Sequence, residues 1–400
     1  MASRFSWLDA SEHDRRRSLE VIDLFQQKET VDELGVGSVR DTIADFVAPG
    51  TSTIQRRARY FFFIPWIYQS LEGRHGANER MAARARSLEV ALIEALAANE
   101  DKAGIIGIES RASLKRLPSE IYWQGLGRLG FRLFPGSQDQ YHRVVERGGR
   151  GATRDETGDL ALAGELAGNW HPRLPAAPAR FPKEASFLLA TAEAEFFRDQ
   201  LRVHAPDSLL LFLVENRQEV SGDVYPWELP ELPRMPAALQ RWLRHGQVYS
   251  ELMHGAALLY NLMLAQAMPA PDLETEYRHG ILDWGANCRA ARERHRRWDR
   301  KDFWTGVRLL NSRLPPAVQT FSEQWIDLVL SADDQRGLAD DERARVLIRK
   351  REQELKGLRA RLQSREHLQM WGGASSVLPL DYRWGITRMI VNDVVKGLRA

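Results

Sequence analysis

The sequence predicts a mainly α, multi-helix globular protein with long Pro/Gly-rich loops and few or no strands. Three observations carry that expectation. Apolar residues recur at helical spacing in one segment after another, capping residues stand just ahead of several of those segments, and the period-two alternation that marks strands is rare. Composition permits such a fold, because 44% of the 400 residues are hydrophobic and 28% are charged, enough apolar material for a sizeable core.

Ser11 followed by Asp14, Ser38 followed by Asp41, and Ser52 followed by Gln55 have the spacing of capping boxes, in which a side chain satisfies amides that the first helical turn leaves unpaired. Pro49-Gly50 closes a helix over 39–47, since proline cannot continue it and glycine tolerates a left-handed turn. Ile54, Ala58, Phe61 and Phe62 make an apolar stripe that Pro65 is expected to kink or end. Residues 81–98, rich in alanine and leucine, favour a helix.

Between 148 and 182 the periodicity dissolves into glycines and prolines, as at a boundary or a long surface loop. Residues 183–203 return to a helical pattern, and the apolar run 209–214 fits either a buried strand or a helix. Residues 225–236 are proline-rich and extended, and 237–268 read as one long helix or a helix pair. A charged helix spans 341–367 with Leu347, Leu355, Leu358 and Leu362 on or near one face. Gly372-Gly373 breaks it, and 386–398 forms a last amphipathic helix. These elements divide the chain into an N-terminal helical region (1–150), a Gly/Pro-rich connection (151–182), a central helical region (183–330) and a C-terminal region (331–400).

The formal net charge of +2 creates no global field toward nucleic acid or membrane, so such a role must come from local patches. Cys288 is the single cysteine, which excludes an internal disulfide and a cysteine-built zinc site and suits a reducing compartment. Residues 1–17 lack the apolar stretch of a signal peptide. The greasiest runs, 60–68 and 208–214, fall far short of the ~20 residues a spanning helix needs. The expectation is a cytoplasmic protein with no membrane partner.

Few motifs carry chemistry. Gly125, Gly127 and Gly130 have the G-x-G-x-x-G spacing of a pyrophosphate-binding turn, but no buried strand precedes them, and a turn or close helix packing explains them better. Of ten histidines, His142, His171, His204, His254 and His279 each stand alone, without the paired spacing of a zinc-protease helix. Glu354 and Lys356 have the E-x-K spacing of magnesium nucleases but fall within a charged helix, where surface salt bridges are the expected role. No cofactor is indicated.

The segment 287–304 stands apart. Arg289, Arg292, Arg294, His295, Arg296, Arg297, Arg300 and Lys301 crowd one expected helix, with Trp298, Phe303 and Trp304 interleaved. Arginine matches phosphate, and aromatic rings stack on bases, so the segment is a candidate contact for DNA or RNA; the competing expectation is a solvated face whose rings enter the core. A second basic cluster, Arg56, Arg57 and Arg59, opposes the dipole at the start of its expected helix. It therefore calls for an anion, either an external one such as nucleic acid, for which the three are further candidate contacts, or Asp41 and Asp45 of the preceding helix, the expected internal partners. Residues 34–38, Leu-Gly-Val-Gly-Ser, have the form of a helix-turn-helix turn, although Asp41 occupies a position that should be apolar and Glu29, Asp32 and Glu33 repel phosphate.

Several phrases occur together: Phe5-Ser6-Trp7-Leu8-Asp9, the run 32–41 (DELGVGSVRD), 49–55 (PGTSTIQ), Arg59-Tyr60, Pro65-Trp66, 134–138 (FPGSQ) and 380–384 (LDYRW). In this combination the chain resembles an uncharacterised family of bacterial domain-of-unknown-function proteins of similar length, over nearly all of its length. The resemblance implies a setting in anti-phage defence islands beside helicases and phospholipase-D-like proteins, and no catalytic residues. Two functions are thus expected. One is a non-catalytic component of a defence or DNA-processing system that contacts nucleic acid or a partner protein through the basic-aromatic segment. The alternative is a metal-dependent nuclease or hydrolase whose site assembles from distant histidines and acids.

Overall fold

A computed structural model describes residues 32–72, 80–99, 101–147, 152–154, 160–162, 168–222 and 224–400. Among them the fold is mainly α. In chain order the helices are α1 (Gly37–Val47), α2 (Tyr60–Leu71), α3 (Met81–Ala97), α4 (Pro118–Arg128), α5 (Gln138–Glu146), α6 (Thr191–His204), α7 (Leu209–Glu215) and α8 (Ala237–Ala267). There follow α9 (Pro271–Ala290), α10 (Arg292–Arg296), α11 (Arg300–Leu310), α12 (Pro316–Ser331), α13 (Glu342–Lys356), α14 (Arg365–Gln369) and α15 (Trp384–Arg399). One antiparallel ribbon pairs β1 (Ala152–Arg154) with β2 (Leu160–Leu162), Ala152 opposite Leu162. By spatial contact the chain forms two units that cut across sequence order. The first joins 1–42 to 244–380, and the second joins 43–243 to 381–400.

In the second unit, α2 is the centre of the core, with every residue but Gln69 and Ser70 buried. Phe61 and Phe62 meet Phe131 at 5.4 and 5.3 Å between ring centroids, and Phe61 meets Phe197 edge-on at 5.2 Å. Of the two outcomes expected for Pro65, a kink or an end, the helix does not end there: Pro65 lies inside α2. An interior proline costs about 3 kcal/mol, whereas each large side chain buried returns roughly 1.5–3 kcal/mol, so tertiary burial overrides the break. Gly50 takes φ +78° just after α1, in the turn predicted from Pro49-Gly50.

Helix α6 begins at Thr191, later than the sequence pattern suggested. The preceding stretch is held out of helix by donors from elsewhere: Asn99 Nδ2 donates to the Ala185 carbonyl at 2.6 Å and Arg59 Nη1 to that of Ser186 at 3.0 Å. Ser208 caps α7 through its hydroxyl, which resolves the run 209–214 as helix. Residues 225–236 contain two short 3-10 turns, Pro226–Glu228 and Leu232–Arg234.

In the first unit, Gly255 of α8 lies so close to the Trp284 indole of α9 that a Cβ there would strike the ring. Trp325 of α12 donates its indole N–H to the Leu252 carbonyl at 2.9 Å, and the Tyr249 and Ser322 hydroxyls meet at 2.9 Å. Asp341 caps α13 by accepting from the Arg343 and Ala344 amides. That helix ends at Lys356 because Gly357 turns left-handed at φ +55°, so the expected helix to 367 is broken and Leu358 stands 96% exposed. No helix among the described residues is long and apolar enough to cross a membrane.

The capping expectations fared unevenly. Ser11 and Asp14 lie outside the described residues. The Ser38 hydroxyl has no partner among the described residues; Asp32 takes its place, accepting from the Val36 and Gly37 amides at 2.8 and 2.6 Å. Gln55 accepts from the Ser52 amide at 3.3 Å, but the helix starts only at Tyr60.

Candidate polyanion-contact segment

The segment 287–304 is three pieces and not one helix: the end of α9, the five-residue α10, and the start of α11. The new start is set locally, because the Asp299 side chain accepts from the Asp302 amide at 2.9 Å and so caps α11. The break points the interleaved aromatics inward. Phe303 and Trp304 are buried, with ring centroids 4.9 Å apart, and the half-buried Trp298 lies 5.0 Å from Phe303. Trp304 donates its indole N–H to Glu323. These rings are engaged in packing, not presented for stacking on bases.

The cations divide into two groups. Arg294 bonds both carboxylate oxygens of Glu251 at 2.7 and 2.9 Å, and the buried His295 meets the same carboxylate through Nε2 at 2.8 Å. Burial pushes the Glu251 carboxyl up, but the hydrogen bonds from His295 and Arg294 outweigh it and hold the group below its ordinary value. Arg300 reaches Asp327 at 2.6 Å and Glu323 at 3.0 Å, and Arg289 reaches Asp334 at 2.8 Å. Among the described residues Arg297 pairs only with Glu293, one turn away on the same exposed surface. Arg296 and Lys301 are exposed and have no acidic partner among the described residues, and the buried Nε–H of the half-buried Arg292 donates to no partner among them. Cys288, also in this region, is buried, which pushes its thiol up to about 12 and makes it a poor nucleophile.

The second basic cluster is internally paired, though with other acids than the sequence suggested. Arg57 Nε bonds both oxygens of Asp393 at 3.1 and 3.0 Å, its Nη1 reaches Asp101 at 2.8 Å, and its guanidinium lies 4.4 Å above the Phe187 ring. Arg59 makes a two-pronged pair with Glu193 at 2.9 and 2.8 Å, both side chains buried. Arg56 donates to the Thr53 and Gln55 carbonyls, each at 2.9 Å. Asp45 is taken by Arg383, and Asp41 by Arg40.

The remaining motifs resolve as scaffold. Gly35, at φ +68°, makes the turn before α1, but of α1 itself only Asp45 is exposed, so the helix offers no face to a DNA groove. Gly125 and Gly127 lie in α4 and not after a strand. Glu354 and Lys356 sit on α13, where Lys356 pairs with Glu33. Glu33 also accepts from Arg361, and Glu352 accepts from the Tyr260 hydroxyl at 2.6 Å and the Arg361 amide at 2.8 Å. This buried network borders a cavity of about 50 Å³, room for one or two waters. His245 faces Asp302, His254 faces the Val377 carbonyl, and among the described residues no three His, Cys, Asp or Glu side chains are grouped to hold a metal ion.

Sequence reasoning found the basic segment but missed the acids that divide it. Glu251, Glu323, Asp327 and Asp334 lie on or beside other helices, and no local pattern announces them. No curated protein and no solved structure matches the chain. A family model does, over residues 2–396, and the chain belongs to the family it describes, a family of unknown function (DUF6361).

Proposed function

We propose that this protein is a non-catalytic component of a defence or DNA-processing assembly that holds nucleic acid by its phosphates, through Arg292, Arg296, Arg297 and Lys301. The supporting observation is the division of the cations along 289–301. Acids of the same molecule brace Arg289, Arg294 and Arg300, while Arg296 and Lys301 have no acidic partner among the described residues. The Arg297–Glu293 pair is exposed on both sides, so it is weak and readily exchanged for phosphate. Because the indoles are engaged in packing, the contact reads phosphate and not base identity, and binding is sequence-independent and salt-sensitive.

The test is fluorescence anisotropy with a labelled duplex and a labelled single strand at about 50 and about 200 mM salt. The triple variant R292E/R296E/K301E is expected to bind at least about tenfold more weakly at matched salt, with an unchanged circular dichroism spectrum. Equal binding by the variant and the wild-type protein overturns the proposal, as does absence of binding by the wild-type protein to either substrate.

A further inference from the structure

We propose that the second unit carries a separate phosphate-binding site formed by Arg128, His171, Arg173 and His204. It does not depend on the function proposed above.

Three chain segments meet there. Helix α4 ends at Arg128, and the chain turns through Gly130 at φ +72°. A Cβ on Gly130 would strike His204 Nε2 and crowd the Gln200 side chain, so the His204 imidazole lies directly against this turn. His204 is the last residue of α6, and Phe196, Gln200 and His204 follow one another at four-residue intervals down one face of that helix. From the third segment, the His171 amide donates to the Phe131 carbonyl at 3.0 Å, and its ring sits 5.1 Å from that of Phe196. Both imidazoles therefore flank the backbone of 130–131.

The His171 ring has a defined polarity. The Arg173 amide donates to His171 Nδ1 at 3.2 Å, so Nδ1 presents a lone pair and the ring proton sits on Nε2. That N–H is free to donate to an oxyanion. Arg128 and Arg173 are exposed, and neither has a carboxylate partner among the described residues. Burial lowers His171, and Arg173 and His204 lower it further; burial and then Arg128 lower His204. The arginines that lower the two rings, Arg173 and Arg128, are the same two that lack a carboxylate partner among the described residues.

Cations at helix C-termini are commonplace, because the last carbonyls carry partial negative charge. That accounts for Arg128 and His204 one at a time. It does not account for His171 and Arg173, which lie on no helix, nor for the contrast with Arg202 on the same turn of α6, which Asp199 and Glu215 saturate. Two imidazoles beside the 130–131 turn, with two exposed arginines next to them in the chain that have no carboxylate partner among the described residues, suit a tetrahedral oxyanion with several acceptor oxygens, and arginine matches phosphate in charge and geometry. The phosphate could belong to a small phosphate ester or to a nucleic-acid backbone; the recognising chemistry is the same.

The experiment follows the histidine ring signals of the full chain by NMR, in the R292E/R296E/K301E background so that the other cation group is silent. Inorganic phosphate is expected to shift the His171 and His204 signals saturably and to raise both titration midpoints by about half a pH unit or more. The variant R128Q/R173Q, which removes two exposed charges and no buried contact, is expected to abolish that response. A second arm uses a short oligonucleotide without terminal phosphate: competition with inorganic phosphate assigns the site to a backbone, and indifference assigns it to a free or terminal phosphate. Ring signals that ignore inorganic phosphate, or that respond equally in R128Q/R173Q, overturn the proposal.

Discussion

Trp298 donates its indole N–H to Nδ1 of His245 at 2.8 Å. An indole nitrogen can only donate, so Nδ1 holds a lone pair and the imidazole proton sits on Nε2, which faces Asp302 at 2.9 Å. His245 is on α8 and Asp302 on α11, so one neutral ring ties the turn before α11 to the long helix. Trp298 is thus a tether, which explains why an indole in the middle of a basic run is only half exposed.

Replacing Trp298 with phenylalanine keeps an aromatic ring near Phe303 but removes the donor to His245. The W298F variant is expected to lose about 1–3 kcal/mol in urea unfolding, the cost of one buried hydrogen bond and some volume. In nitrogen NMR spectra, the His245 Nδ1 resonance should move in W298F, because it loses its donor, while Nε2 keeps its proton against Asp302. An unmoved Nδ1 resonance in W298F would contradict the tether.

Arg59 and Glu193 form a buried two-pronged pair, so each is more costly to remove alone than together. R59M and E193L singly are expected to destabilise by about 3–5 kcal/mol each, since each strands a buried charge. The double variant should cost clearly less than the sum of the two. Additive losses in a double-mutant cycle would show that the two side chains do not act as a pair.

Legibility in the sequence followed the range of the forces involved. The helix closed by Pro49-Gly50 and the long α8 could be read because stripe, start and stop lie within one segment. The passage of α2 through Pro65 could not, because the aromatic packing that outweighs the proline comes from residues 122, 131 and 197. The same holds for the cation sites. Arg57 and Arg59 find acids 336 and 134 residues away, and only the three-dimensional fold selects Asp393 and Glu193 over the nearer Asp41 and Asp45. The basic character of 287–304 was legible; which of its charges remain free was not.

Glu89 is fully buried and accepts from the Ser119 amide at 2.9 Å and the Ser119 hydroxyl at 2.6 Å. Burial pushes its carboxyl up to about 7 despite those hydrogen bonds. A carboxyl raised on folding stabilises below its unfolded value and loses that contribution as pH rises through the folded one. Relative to E89Q, whose side chain stays neutral, the wild-type protein is expected to lose about 3 kcal/mol between about pH 4 and about pH 8. Parallel stability profiles for the two proteins would refute a raised Glu89.

Gly125 packs so closely on the chain that a Cβ there would run into the Gly50 carbonyl oxygen and crowd Gln55 and Phe61. G125A is expected to destabilise by about 1–3 kcal/mol, as overpacking does, even though alanine favours a helix. Thermal melts with and without a dinucleotide check the point: the loss should be the same in both, because the glycine serves packing and not a pyrophosphate.

The salt dependence of binding gives the sharpest reading of the basic segment, because each phosphate contact releases condensed counterions in proportion. If Arg292, Arg296 and Lys301 each meet one phosphate of a duplex, the plot of log affinity against log salt is expected to have a slope of about −2.7 from these three. Lys301→Gln should flatten that slope by about 0.9 and leave binding equally indifferent to sequence. Arg294→Gln serves as the contrasting case: its guanidinium is held by Glu251, so the slope should be retained while stability falls. A slope that changes with Arg294 but not with Lys301 would mean that the internally paired arginines are the ones released to the ligand, and the division of the segment into bracing and contacting cations would be reversed.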